Sequence, residues 1–387
     1  YTMIGNTNLS YTTNLNDHNI YNGNNSIEMY YVDVDRDTFP TINSSTAKLT
    51  FSDEFGANPV CSEVLYAGLY WTGITDNRGM DCMVTTDVRN GGTIAGYTLT
   101  ITGGQTNPTF TFSKPGSDPI ELTLTVSGRN RRQFNLTYNG NTVYSGGASN
   151  EQVGWQTWYY MEPDQTITLA ENITINRIYW NSDDAPYVRM GFTGSKNKIK
   201  IRHATALGYT EVEAARQDIY YDYQYSSNKY IYAAYTEVTD YVRQYGLGNY
   251  TVADLLTEAG DGGTLGYFGC WGMVVVYENS KMKWRDITIF DGFANVSGSN
   301  PQQDISISGF KTVQVGDVNM KLGMMAAEGD RGIPGDGCAI QKLQSSSYQN
   351  LVHSGNATDN FFNSSIQTGE NYRYPNYVNN TGIDIAM

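Results

Sequence analysis

Apolar residues fall into two patterns along this chain, and both predict strands. One is the near-continuous run. Residues 270–277 are apolar and valine-rich. They are too few to cross a bilayer as a helix, which takes about 20, so they predict a strand buried on both faces. Residues 64–71 form a second such run, where Ala67 and Gly68 permit close packing. The other pattern is alternation. Within 284–290, Ile287 and Ile289 point one way and Asp286 and Thr288 the other, as in a half-buried strand. The polar residues 278–281 lie between the run and the alternating stretch. Together these predict a hairpin at the centre of a β-sandwich, ended by Asp291-Gly292-Phe293.

Shorter stretches extend the reading. Segments 27–32, 43–49 and 197–201 predict strands of the same sandwich. Segments 98–102, 110–112, 122–126 and 133–136 alternate with period two, and Gly, Asn and Pro turns such as Asn139-Gly140 separate them. That texture predicts a self-contained sandwich over 84–193, inserted into a domain formed by 1–83 and 194–387. One helix is expected over 236–245, where Val238, Tyr241, Val242 and Tyr245 recur at helical spacing before Gly246. Residues 251–256 read as a strand or a half-turn, and 306–322 as two or three more strands. The predicted fold class is all-β: a discontinuous, jelly-roll-like β-sandwich with an inserted second β-sandwich and one or two short helices.

Composition supports strands. The 387 residues include 40 Gly and 31 Tyr, and only 17% are charged, against about 25% in ordinary globular domains. Chains rich in Tyr, Thr, Asn, Ser and Gly make strands and polar turns, a mix usual outside the cell. The formal net charge of −14 argues against nucleic acid and anionic membrane surfaces as partners and permits divalent cations. No transmembrane helix is visible, so direct membrane insertion is not expected. Tyr1 is not an initiator, which fits a removed signal peptide. Residues 345–387 show no closing element, so other parts of a longer parent chain are expected. The 4 cysteines contain no CxxC pair. Cys61 with Cys82, and Cys270 with Cys338, are disulfide candidates; buried free thiols are the other reading.

Three groups of side chains are candidates for function. Asp33, Asp35 and Asp37 have the alternate-carboxylate spacing of a calcium loop, although Arg36 stands where an EF-hand has glycine. Glu328, Asp330 and Asp336 lie in a glycine-rich loop that lets carboxylates and carbonyls converge on Ca2+. The alternative for each is an acidic turn, solvated in the first case and paired with Arg331 in the second. Trp155, Trp158, Tyr159, Trp180 and Tyr187 are candidates for stacking on a sugar or protein ligand, the alternative being a sandwich core. The tyrosines within 220–225 imply at least one wet face. Catalysis has little support: the 3 histidines, His18, His203 and His353, match no catalytic motif, and Gly260-Asp261-Gly262-Gly263-Thr264 lacks the lysine of a phosphate loop.

A series of phrases in order resembles the N-terminal head region of large Bacteroidetes surface proteins exported by type IX secretion, including gliding-motility adhesin-like proteins. They are Ile4-Gly5-Asn6-Thr7, residues 31–37, Asn43-Ser44-Ser45-Thr46-Ala47, Ala67-Gly68-Leu69-Tyr70-Trp71, Tyr235-Thr236-Glu237-Val238-Thr239 and residues 271–278. Arg285-Asp286-Ile287-Thr288-Ile289-Phe290-Asp291-Gly292-Phe293 follows. Then come residues 328–332 with Gly335-Asp336, residues 360–366, and Gly382-Ile383-Asp384-Ile385. The resemblance covers 1–83 and 196–387, and no match falls on 84–193. It implies an extracellular, outer-surface adhesin head that binds a surface glycan or protein ligand without catalysis. It assigns no binding residues. A structural filament or surface-layer subunit is the alternative function, and a glycoside hydrolase a weaker one.

Overall fold

A computed structural model describes residues 1–17, 24–128, 132–226, 228–309, 311, 315–316, 319–342, 346–369 and 372–387. His18 lies outside them. The valine-rich run becomes strand Gly269–Glu278. It pairs antiparallel with Thr2–Thr7 on one edge and with Glu63–Thr75 on the other. Lys229–Glu237 and Ile219–Ser226 complete this central sheet. The predicted hairpin is therefore corrected. Both hydrogen-bonding edges of Gly269–Glu278 are taken, so residues 284–290 have no edge to join, and they run exposed and unpaired. The described part of 306–322 likewise holds no strand; residues 310, 312–314 and 317–318 lie outside the described residues.

One face of the central sheet packs on a second sheet, ordered Thr210–Glu213, Lys198–His203, Gly248–Ala253, Ser44–Leu49 and Arg373–Tyr374. Leu69, Trp71, Ile201, Val252, Trp271 and Val275 fill the space between them. The helix is Thr239–Tyr245, shorter than predicted, because Thr236 and Glu237 still pair with Leu69 and Gly68. Gly246, at φ 69°, ends it. The opposite face carries a small sheet of Met324–Ala327, Ile383–Ala386 and Ile366–Gln367. It can lie close because Gly5 faces Gly272 across the strands. A Cβ at Gly272 would collide with the Met325 sulfur. Gly272→Val should therefore cost about 2 kcal/mol by overpacking. Urea unfolding reads the loss, and faster hydrogen exchange at Ile383–Ala386 would place it in the small sheet.

Residues 81–195 build two further sheets facing one another. One is ordered Ser149–Val153, Gln156–Met161, Ile173–Trp180, Tyr187–Ser195 and Asp81–Val88, with Ile167–Ala170 beside Ile173–Trp180. The other runs Asn141–Gly147, Gln133–Tyr138, Ile120–Ser127, Thr109–Ser113, Tyr97–Thr102 and Thr93–Ile94. Asn139 and Gly140 sit at φ 46° and 80°, the positive pair that a tight hairpin turn requires. The segments that lead into and out of this sandwich, Asp81–Val88 and Tyr187–Ser195, are paired neighbours. Phe110, Phe112, Leu124, Leu136, Ile178 and Trp180 line its core, which Ile42 and Leu256 extend from outside. The fold is all-β, its strand pairs antiparallel except for Ile366–Gln367 beside Ile383–Ala386, with one α-helix among the described residues. The expected disulfides are corrected: Cys61, Cys82, Cys270 and Cys338 are all free thiols. Cys61 is exposed, and Cys82 and Cys270 are buried in different cores.

Candidate functional site

The first acidic loop is held shut by protein groups. Asp33 follows the short strand Glu28–Tyr31 and bridges to Ser44. The Ser44 hydroxyl donates to Asp33 Oδ1 at 2.9 Å and to Asp35 Oδ1 at 2.7 Å. Tyr209 donates to Asp35 Oδ2 at 2.5 Å, and Arg202 approaches the same oxygen at 3.4 Å. Burial first, and the neighbouring Asp35 second, push the Asp33 carboxyl up to about 8. Asp33 thus holds a proton at neutral pH. The two carboxyl groups are in hydrogen-bonding contact, closer than the ~5 Å between carboxylates of a retaining glycosidase. Asp37 is exposed and stands apart from the pair.

The second acidic loop gathers groups that the sequence separates. Glu328 follows strand Met324–Ala327, whose Ala326 lies opposite Asp384. Glu328, at φ 67°, turns the chain out of this strand. Burial, then Asp330 and Asp384, push Glu328 up to about 8. Burial also raises Asp384, to about 7, against backbone N–H donors at Ser365, Ser364 and Asn363. Asp336 Oδ1 accepts from the Phe362 N–H at 2.7 Å. The alternative pairing with Arg331 is not formed: among the described residues Arg331 makes no ion pair, and its carbonyl accepts from Asn360. Sequence reading missed Asp384. Its signal was a carboxylate between Ile383 and Ile385, an acid inside an apolar strand.

The aromatic candidates separate by burial. Trp158, Trp180 and Tyr187 are interior, which removes them as ligand candidates and fits the core alternative. Trp158 and Tyr187 pack edge to face. Trp180 donates its indole N–H to the Gln105 carbonyl at 2.7 Å. Tyr159 is half-buried under Arg132. Trp155, beside Gly154 at the hairpin tip, is fully exposed.

A larger exposed aromatic and apolar surface lies elsewhere. Residues 284–296 cross the outer face of the central sheet, pinned at intervals. Arg285 pairs with Glu54 at 2.6 Å, Tyr70 donates to Asp291 at 3.1 Å, and Asn295 donates to Tyr223 at 2.6 Å. Phe293 stacks on Tyr220. Trp284, just before the first pin, is 99% exposed, and Ile287, Ile289 and Phe290 stand exposed between the pins. Ile219–Ser226, carrying exposed Tyr220 and Tyr225, is the adjoining sheet edge. The described histidines serve structure: His203 is buried against Tyr245 and Tyr250, and His353 bonds the Met387 carbonyl. No helix of the described chain is long and apolar enough to cross a membrane. No family model, no curated protein and no solved structure matches the chain.

Proposed function

We propose that this chain is the binding head of an extracellular, outer-surface adhesin of the type IX-secreted kind that its sequence resembles. The carrying observation is the pinned ribbon of residues 284–296, which displays Trp284, Ile287, Ile289 and Phe290 on a rigid sheet. Apolar side chains fixed in water at no further ordering cost suit a binding face. Flat rings suit the apolar faces of sugars, and Trp155 offers another at a hairpin tip. The mechanism is physical. Shallow contacts give weak single-site affinity, and many copies on one cell multiply it.

The test is binding of the whole chain to a glycan array, with calcium and with EDTA, beside a variant carrying Trp284→Ala, Ile287→Ser and Phe290→Ser. Binding that weakens at least about tenfold in the variant supports the reading. A second reading, a filament or surface-layer subunit, draws on the exposed edge strand Ile219–Ser226 next to the same ribbon. Silence on the array together with concentration-dependent assembly, measured by sedimentation, would overturn the adhesin in favour of that subunit.

A further inference from the structure

We propose that a calcium ion binds beside Gly329, ligated by oxygens of Asp384 and Asp330 with the Phe362 carbonyl and water completing the shell. The observation is a concentration of oxygen atoms without donors. Asp330 Oδ1, Asp384 Oδ2, Asn24 Oδ1 and Asn360 Oδ1 are all buried, and none has a hydrogen-bond partner among the described residues. Asp384 is only 4% exposed and Asn24 only 3%. Buried acceptors are rarely left bare, and a bare buried carboxylate oxygen is costlier than a neutral one.

Two oxygens meet beside Gly329, and Asp330 follows it in the chain. A Cβ added to Gly329 would meet Asp384 Oδ2 and the Phe362 carbonyl oxygen, so both oxygens flank the main chain between Glu328 and Asp330. The main-chain N–H of Asn24 donates to the Asp330 carboxylate, while its side-chain amide donates to the Tyr267 carbonyl. Asn360, paired across a bridge with Asp336, donates to the Arg331 carbonyl and leaves its own oxygen bare. Among the described residues no cation pairs with Glu328, Asp330 or Asp384, whereas Arg202 pairs with Asp35 at the first acidic loop.

The donor set selects the ion. Among the described residues no three Asp, Glu, His or Cys side chains cluster tightly enough to hold a metal by themselves. That disfavours zinc, which wants nitrogen and sulfur ligands. Calcium fills its shell of six to eight with amide and main-chain carbonyl oxygens beside a few carboxylates, whereas magnesium keeps its waters. Bound there, calcium would join three separated parts of the chain: the 328–330 turn, the 360–364 loop and strand Ile383–Ala386.

The test is thermal unfolding of the EDTA-stripped full chain against CaCl2 and MgCl2, with calorimetric titration of the calcium arm. Calcium at a hundredfold excess over its dissociation constant should raise the midpoint by about 3 °C, with one site per chain and little response to magnesium. Asp330→Asn and Asp384→Asn should each weaken calcium binding at least about tenfold, whereas Asp33→Asn should leave it unchanged. Without calcium, Asp384→Asn should melt no lower than the wild-type chain, because it removes a bare buried charge while an amide oxygen still accepts from the Ser365 N–H. Should Asp384→Asn fail to fold, the more exposed Asp330→Asn decides alone. No calcium response up to about 10 mM, beyond the range of weak extracellular sites, would overturn the proposal. So would a response that Asp330→Asn retains. Because the readout is thermal, it stands whether or not the adhesin reading does.

Discussion

Trp71→Ala should cost about 4 kcal/mol, the upper part of the range for emptying a large aromatic from a core. Trp71 is 2% exposed and lies in the middle of Glu63–Thr75, paired with Trp271 on one side and Ala234 on the other. Truncation would open a cavity between the two sheets, where neighbours on three strands cannot all collapse inward. It would also leave a polar atom bare. The Trp71 indole N–H donates to the Lys196 carbonyl at 2.9 Å, at the point where the chain returns from the 81–195 sandwich. Lys196 is itself fully buried, its ammonium donating to the Asn77 carbonyl at 2.6 Å. Trp71→Phe separates the two effects. It keeps most of the ring volume and loses the hydrogen bond, so it should cost only about 1–2 kcal/mol. Urea unfolding of the three proteins measures both differences. Equal losses in Phe and Ala would mean that the Lys196 anchor, not the core, carries the effect.

The strands were legible because their faces differ. In Ile120–Ser127, Leu122, Leu124 and Val126 are buried and the residues between them are not, which is what period-two alternation encodes. The central run was legible as a doubly covered strand for the same reason: Trp271, Met273 and Val275 face one core and Cys270 another. The hairpin failed because alternation says which way side chains point, not whether a neighbouring edge is free. Residues 284–290 alternate as a strand does, but Thr2–Thr7, from the far end of the chain, already holds the edge they would need.

The sites were legible only where they were local. Asp33 and Asp35 meet, as their spacing implies, but the cation beside them is Arg202, brought by a strand more than a hundred residues away. No local pattern could announce that. The second loop showed its own Glu328, Asp330 and Asp336, while Asp384 and Asn24 arrive through pairing and loop packing that sequence order hides. Trp158, Trp180 and Tyr187 were ambiguous by chemistry, since a ring with a polar edge serves a core or a ligand equally well. Here Tyr179, stacked on Tyr187 under Arg189, closes the core.

Glu258→Gln should leave stability nearly unchanged at acidic pH and raise it by about 3 kcal/mol at mildly alkaline pH. Glu258 sits where the central sheet meets the 81–195 sandwich: its N–H donates to the Ile74 carbonyl, and its carboxylate accepts from the Thr85 N–H at 3.1 Å. It is 8% exposed. Burial pushes it up from 4.5 to about 7; the Thr85 N–H acts against that, and Asp76 adds to it. Lys229 offers limited relief, since its ammonium is drawn to Asp76 at 3.4 Å. The folded value lies above the unfolded one, so folding favours the protonated acid. That contribution is complete below 4.5 and is lost as pH rises through about 7. Glutamine keeps an acceptor for Thr85 and has no proton to lose, so the variant escapes the loss. Asp33 also titrates high, at about 8, and its effect remains in both proteins, so the difference between them isolates Glu258. Denaturant unfolding at about pH 5 and pH 8.5 reads that difference. A gap that stays constant with pH would mean that Glu258 folds already ionised, and that the join between the sheets tolerates the charge.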